Sequence, residues 1–342
     1  MKIGLIHHQN KIKEVIREVL HRRTDHDVIW GTNFGHHALE LAESNSPDLV
    51  LLDVQVIEFD GIGFINDLFT QVNCPILLLT TDIDDDSLLV FEAMAHGALD
   101  FAPVPKDEGE DNYSKLIEKV QQMSLLVYRE KPVRLQKTGT SEKAQSFGPS
   151  PLIVMGASTG GPLALASILS SFPQDLDASI VIIQHVDDQF SQGLAEWLNE
   201  RTQLPIELVS GETPLNPGKI YLSNSKWHLV MNDDRKLAYT SKPESQIYKP
   251  SIDVFFESVA NYWKSPSVAV LLTGMGADGA VGLKKLRDKG WMTIAEDESS
   301  CVVYGMPKAA IEMDAASEIL SLHHIPLSVL SHLKRNKYKA IT

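Results

Sequence analysis

Three residues in the second half of the chain have the types and the settings for acyl transfer. Ser158 lies in Gly156-Ala-Ser158-Thr159-Gly160-Gly161-Pro162, directly after the apolar run Leu152–Met155. Small neighbours let the backbone turn sharply and leave the hydroxyl exposed. Pro162 opens a helical pattern running to Leu169, so that hydroxyl sits beside helix N-terminal amides, whose partial positive charge suits a developing oxyanion. His185 closes a second apolar run, Ser179–His185. Asp278 follows a third, Ser267–Thr273, within Gly274-Met275-Gly276-Ala-Asp278-Gly279. Serine as nucleophile, histidine as general base and aspartate as the group orienting the imidazole make one reaction centre. Each residue also has a plainer reading: Ser158 as a turn residue, His185 as a strand-end histidine, Asp278 as a helix N-cap. The coincidence of all three at strand ends in one domain favours the chemistry.

Two competing motifs fail. The Gly156-x-Ser158-x-Gly160 letters fit the nucleophile elbow, but α/β-hydrolases run serine, acid, histidine along the chain, and here the histidine precedes the acid. A dinucleotide site at Gly156–Gly161 needs an acidic residue at the end of the next strand, which ends instead in Gln184-His185.

The elements that must position these residues alternate. In 151–325, apolar strands at 152–155, 179–185, 267–273 and 292–295 are interleaved with helical patterns at 162–169, near 189–200, at 252–262 and at 280–289, and Pro307–Ile311 opens the last helix. Strand-like stretches at 206–209, 219–222, 228–231 and 237–239 read as hairpins inserted beside the main sheet. The reading is a doubly wound α/β domain in which strand carboxyl ends share one edge and side chains there converge. Residues 326–342 read as a C-terminal tail.

Residues 1–127 repeat the alternation five times, with strands at 3–6, 28–30, 48–53, 75–81 and 99–102. Within Asp48–Asp53 the residues Leu49–Leu52 are continuously apolar and lead into the Asp53 carboxylate, as suits a central parallel strand covered on both faces. This predicts a second doubly wound parallel sheet, of the flavodoxin type. Its strand-end polar residues are His7, His8, Asp53, Thr80 and the Val104-Pro105-Lys106 segment. Residues 128–150 are rich in Ser, Thr, Gly, Pro and Lys without periodicity and read as a linker, with Leu135 and Phe147 as candidate anchors.

The formal net charge of −14 argues against nucleic-acid or anionic-membrane partners. No apolar run approaches the roughly 20 residues that span a bilayer. The N-terminus lacks a signal-peptide apolar region. Cys74 and Cys301 are far apart in apolar settings and read as free thiols. The expected location is the cytoplasm.

Two sets of motifs carry a family resemblance. The order and placement of Asp53, Thr80 and Asp100-Phe101-Ala-Pro resemble the receiver domain of bacterial response regulators, with Asp53 at the phospho-acceptor position and Thr80 at the hydroxyl position. Gly156–Pro162, Gln184-His185, Leu272–Gly279, Val302–Pro307 and Lys249-Pro250-Ser251-Ile-Asp253 resemble the chemotaxis protein-glutamate methylesterases of the CheB family, with Tyr248 where the family commonly has histidine. The resemblance implies a two-component chemotaxis enzyme, a hydrolase of γ-glutamyl methyl esters on methyl-accepting chemoreceptors. It also implies glutamine deamidation and control from the histidine kinase of the chemosensory array. Ser158, His185 and Asp278 become the catalytic set. The Met275 backbone amide is the family's oxyanion donor, and that of Thr159 is a second donor by geometry. No cofactor is needed for catalysis.

The receiver half departs from its family. His7-His8 replace the acidic pair after the first strand, and Val104 takes the lysine position, with Lys106 two residues on. Mg²⁺ prefers hard oxygen ligands, so neither Mg²⁺ nor phosphorylation of Asp53 by the usual route is expected. Adjacent residues on a strand point to opposite faces, which argues against His7, His8 and Asp53 sharing a transition metal; no metal site is expected. The chief alternative function is a receptor-binding adaptor with negligible turnover, followed by a serine hydrolase for some other ester.

Overall fold

Strands buried along their whole length form the centres of two sheets. In the first unit of the computed structural model the elements are β1 (Lys2–Ile6), α1 (Asn10–Arg23), β2 (Asp27–Thr32), α2 (Gly35–Ser44), β3 (Leu49–Asp53), α3 (Val54–Asp60), α4 (Gly63–Val72), β4 (Ile76–Thr80), α5 (Ile83–Ala95), β5 (Asp100–Pro103) and α6 (Ser114–Val127). The strands are parallel in the order β2-β1-β3-β4-β5. Every residue of β3 and β4 is buried, because helices cover both faces. The short helix α3 starts immediately after β3, with Asp53 as its N-cap accepting from the Gln55 amide.

The second unit contains β6 (Leu152–Ala157), α7 (Gly161–Leu169), β7 (Ser179–Gln184), α8 (Ser191–Asn199), β8 (Ile206–Leu208), β9 (Thr213–Pro214), β10 (Ile220–Leu222), β11 (His228–Met231), β12 (Lys236–Thr240), α9 (Ile252–Tyr262), β13 (Val268–Leu271), α10 (Ala280–Asp288), β14 (Met292–Glu296), α11 (Met306–Glu312), β15 (Glu318–Leu320) and α12 (Ile325–Lys339). Its seven-stranded parallel sheet has the order β15-β14-β13-β6-β7-β10-β8.

The doubly wound reading holds for both units, with three corrections in the second. β8 and β10 extend the main sheet in parallel; only β11, β12 and β9 form a separate antiparallel sheet. The edge strand β15 was not expected. The expected tail begins within α12, where Ile325 and Val329 are fully buried. The structure describes residues 1–339 apart from 73, 106–112, 128–150, 225, 247 and 266. The expected linker and Lys106 lie outside the described residues. The chain divides into two compact units between Arg134 and Leu135, within that linker stretch.

One core cluster of the second unit joins β6, β7 and β13 to α9 and α10 through Val154, Ile183, Leu271, Phe256 and Leu283. Phe256 is fully buried in it. Phe256→Ala is expected to cost about 3–5 kcal/mol. In a urea titration the transition of the second unit moves to lower denaturant, while that of the first stays in place.

Candidate active site

The candidate edge is assembled from the ends of three adjacent parallel strands. β6 lies between β13 and β7, with Leu271 opposite Gly156 and Ala157 opposite Gln184. Ser158 therefore emerges between the ends of both neighbours. Its amide donates to the Thr273 carbonyl at 3.0 Å, and the His185 amide donates to the Ala157 carbonyl at 3.0 Å. Gly160 caps α7 with φ +78°, a left-handed conformation that favours glycine. Gly274 is required for space: a Cβ there would meet the Met306 sulfur at 2.4 Å and Ser158 Cβ at 2.7 Å.

Side chains lock these ends together. The Gln184 amide nitrogen donates to the carbonyls of Ser158 at 2.9 Å and His185 at 3.1 Å. The Thr273 hydroxyl donates to the Thr159 carbonyl at 2.9 Å and accepts from the Val303 amide at 2.8 Å. The Thr273 amide in turn donates to the buried carboxylate of Glu296 at 2.8 Å. Burial pushes the Glu296 carboxyl up, and that amide offsets part of the rise.

His185 Nε2 meets Asp278 Oδ2 at 2.9 Å, with Asp278 buried and His185 half-buried. The other imidazole nitrogen, Nδ1, is buried and has no hydrogen-bond partner among the described residues. The ring of Tyr248 lies flat on the imidazole, 4.6 Å between centroids and 9° from parallel. No hydrogen bond joins the Ser158 hydroxyl to His185; what the fold supplies is adjacent strand ends.

Asp278 is held at the N-terminus of α9. Its Oδ1 accepts from the Ser251 hydroxyl at 2.8 Å and the Asp253 amide at 3.0 Å, and Oδ2 accepts from the Ile252 amide at 2.7 Å. Burial alone would raise the Asp278 carboxyl. Hydrogen bonds and attraction from His185, together with the Asp253 and Ile252 amides, outweigh it and hold the group below the usual aspartate range. The N-cap of α9 is Ser251, whose hydroxyl also accepts from the Val254 amide. The Ser251 amide donates to His228 Nδ1 at 3.1 Å, and His228 Nε2 faces the Pro243 carbonyl at 3.2 Å. That pairing requires a neutral imidazole with its proton on Nε2, and burial lowers the His228 pKa in the same sense. Ser251 was visible only as part of a motif and His228 not at all, because their partners lie on distant loops.

The Met275 amide makes no hydrogen bond within the described residues and lies in the turn that packs on Gly305. Thr159 is buried beside Ser158.

At the sheet edge of the first unit, Asp53 Oδ2 lies 3.3 Å from His7 Nδ1 and in closer contact with His8 Nδ1. The two imidazoles stack, with centroids 5.0 Å apart. This corrects the expectation that they point to opposite faces: β1 ends at Ile6, so strand alternation does not govern either residue. Burial pushes the His7 imidazole down to about 4, partly offset by Asp53. Thr80 does not join the cluster, because its hydroxyl donates to Asp86 Oδ2 at 2.6 Å and to the Asp82 carbonyl at 3.2 Å. Val104 is buried at the lysine position, its amide donating to the Thr80 carbonyl at 2.8 Å. Two imidazoles and one carboxylate do not fit Mg²⁺, which takes oxygen ligands in near-octahedral geometry.

Residues 153–329 match the CheB methylesterase family model and residues 3–118 the response regulator receiver domain. The chain is 39% identical over 333 residues to protein-glutamate methylesterase/protein-glutamine glutaminase 3 of Pseudomonas aeruginosa, covering 95% of this chain and 97% of that one. It is 38% identical over 341 residues to a relative of the same activity name from Mesorhizobium japonicum, covering 98% of this chain and 100% of that one. The solved Thermotoga maritima CheB methylesterase catalytic domain aligns with TM-score 0.51 and 32% identity, over 53% of this chain and 98% of that one. No helix among the described residues is long and apolar enough to cross a membrane.

Ser251→Ala removes a donor from Asp278, so the carboxyl rises toward the ordinary value of about 3.9. A depressed folded pKa stabilises fully above the ordinary value, and that contribution is lost as pH falls through the folded one. Thermal unfolding between pH 7 and pH 3 is therefore expected to show Ser251→Ala losing this contribution at higher pH than wild type. Asp278→Asn lacks the component altogether. Loss of the cap adds about 1 kcal/mol of destabilisation at neutral pH.

Proposed function

The chain belongs to the CheB methylesterase family, and from that membership we propose that it hydrolyses γ-glutamyl methyl esters on methylated chemoreceptors and deamidates receptor glutamines. The observation that carries the reading is the hydrogen-bonded His185–Asp278 pair at the strand end adjoining Ser158. Relatives of the same length bear the hydrolase name, which favours turnover over an adaptor.

With His185 Nε2 bound to Asp278, Nδ1 is the nitrogen left to take a proton. The Ser158 hydroxyl adds to the γ-carbonyl as its proton passes to Nδ1, and Asp278 stabilises the imidazolium. The Met275 and Thr159 amides receive the oxyanion, each such donor contributing roughly 2–4 kcal/mol to lowering the barrier. The intermediate collapses, and methanol leaves with the proton from His185. Water then adds to the acyl-enzyme by the same route, giving the glutamate carboxylate and free Ser158. With a glutamine side chain the leaving group is ammonia. Tyr248 forms one wall of the imidazole's site.

Control is read as unconventional. The His7–His8–Asp53 cluster lacks the carboxylates that hold Mg²⁺ for phosphoryl transfer, and Thr80 is engaged elsewhere. On this reading phosphorylation of Asp53 is lost, and control is either absent or passes to a binding partner.

Methanol release from methylated receptor membranes tests this. Full-length protein is expected to be active, and Ser158→Ala to lose at least about 10³-fold in kcat. Acetyl phosphate with Mg²⁺ leaves the wild-type rate unchanged. Undiminished activity in Ser158→Ala overturns the nucleophile, and stimulation by the phosphodonor overturns the account of control.

A further inference from the structure

The cluster that fails as a Mg²⁺ site has the composition of a different one. The sheet order β2-β1-β3-β4-β5 reverses direction between β1 and β3, and the crevice outside the carboxyl ends of those two strands is where such sheets bind ligands. His7 and His8 follow β1, and Asp53 ends β3. One ligand atom from each lies within 4.8 Å of the others. His7 and Asp53 are fully buried, while the His8 side chain is 32% exposed and opens the cluster to solvent on one side.

We propose that His7 Nδ1, His8 Nδ1 and Asp53 Oδ2 form a Zn²⁺ site with an open fourth position. Zinc bonds to imidazole nitrogen and carboxylate oxygen are about 2.0–2.2 Å, so tetrahedral ligand atoms stand about 3.3–3.4 Å apart. His7 Nδ1 and Asp53 Oδ2 already have that separation, at 3.3 Å. His8 must retreat from Asp53, which its partial exposure permits. Zinc also displaces the Gln9 amide, which now donates to His7 Nδ1 at 3.1 Å. Outer partners are in place for Asp53 and His8, whereas His7 Nε2 is buried with no partner among the described residues. The Gln55 amide donates to Asp53 Oδ1 at 3.1 Å, and the Gln9 side-chain amide lies 2.8 Å from His8 Nε2. With its oxygen turned inward, that amide accepts the His8 Nε2–H and fixes the ligating tautomer. The donor set is two borderline nitrogens and one oxygen, which zinc takes and Mg²⁺ or Ca²⁺ does not. With Oδ2 on the metal, Asp53 is withdrawn as a phosphoryl acceptor, and occupancy of this edge becomes a metal signal. The inference rests on the first unit alone and stands or falls apart from the esterase reading.

The test uses full-length protein stripped with chelator and then dialysed. Zn²⁺ is titrated against a chromogenic competitor, and Co²⁺ is followed by the visible absorption of four-coordinate cobalt. One Zn²⁺ per chain is expected, unaffected by excess Mg²⁺, with Co²⁺ giving the four-coordinate band and Zn²⁺ bleaching it. His8→Ala and Asp53→Asn should each weaken binding by more than about tenfold, since even outer-shell changes cost 10–100-fold. His8→Gln, which keeps the bulk of the side chain, should behave like His8→Ala. His36→Ala, at an exposed position, should bind as wild type does. Circular dichroism of each variant confirms the fold. Equal Zn²⁺ affinity in wild type, His8→Ala, His8→Gln and Asp53→Asn overturns the site. So does the absence of the cobalt band, or displacement of Zn²⁺ by Mg²⁺.

Discussion

The buried carboxylate of Asp278 is the constraint on which the rest of the second unit depends. A carboxylate removed from water is tolerated only if its oxygens are hydrogen-bonded, and here Ser251, Ile252, Asp253 and His185 all contribute. Meeting that demand fixes the N-terminus of α9 against the loop after β13. It also determines which imidazole nitrogen of His185 is engaged and which has no partner among the described residues. The positive end of α9 favours the ionised carboxylate, so the helix stabilises the form of Asp278 that orients His185. Neutral His228 extends the chain of support by holding the Ser251 amide.

The sheet supplies what hydrogen bonds to Asp278 cannot. Parallel strands in register bring Ser158 and His185 to the same edge with no dedicated contact between them. Gln184 and Thr273 then couple that edge to the loops above it, each binding backbone carbonyls on different segments. The Gln184 amide nitrogen and the Thr273 hydroxyl are buried and hydrogen-bonded, so displacing one loop leaves groups unpaired in its neighbours. Rigidity at the serine turn thus comes from cross-bracing as much as from local conformation.

The sequence made some of this legible and concealed the rest for identifiable reasons. Continuous apolar runs such as Leu49–Leu52 and Ile180–Ile183 can be little else than covered parallel strands, so the two sheets and the strand-end positions of Ser158, His185, Asp278 and Asp53 followed. β8 and β10 have three residues each, too few for a period to distinguish a hairpin from a parallel extension. Ser251 and His228 act through contacts closed only by the tertiary fold. The alternation argument for His7-His8 failed because it was carried past the end of β1, where the chain leaves the strand conformation.

Comparing the two sheet edges shows how one residue type takes opposite roles. Asp278 has two backbone amides and the Ser251 hydroxyl as donors beside a single imidazole, and its charge is matched by them. Asp53 has the Gln55 and His8 amides as fixed donors, but its Oδ2 also faces two imidazoles whose protons are exchangeable. Three carboxylates at that edge would repel one another and require a dication. One carboxylate with two imidazoles is satisfied by a proton or by a softer metal. Replacing oxygen donors with His7 and His8 therefore removes the electrostatic need for Mg²⁺ while leaving the carboxylate in place. The parallel-sheet architecture is preserved, because the exchange is confined to residues beyond the strand end.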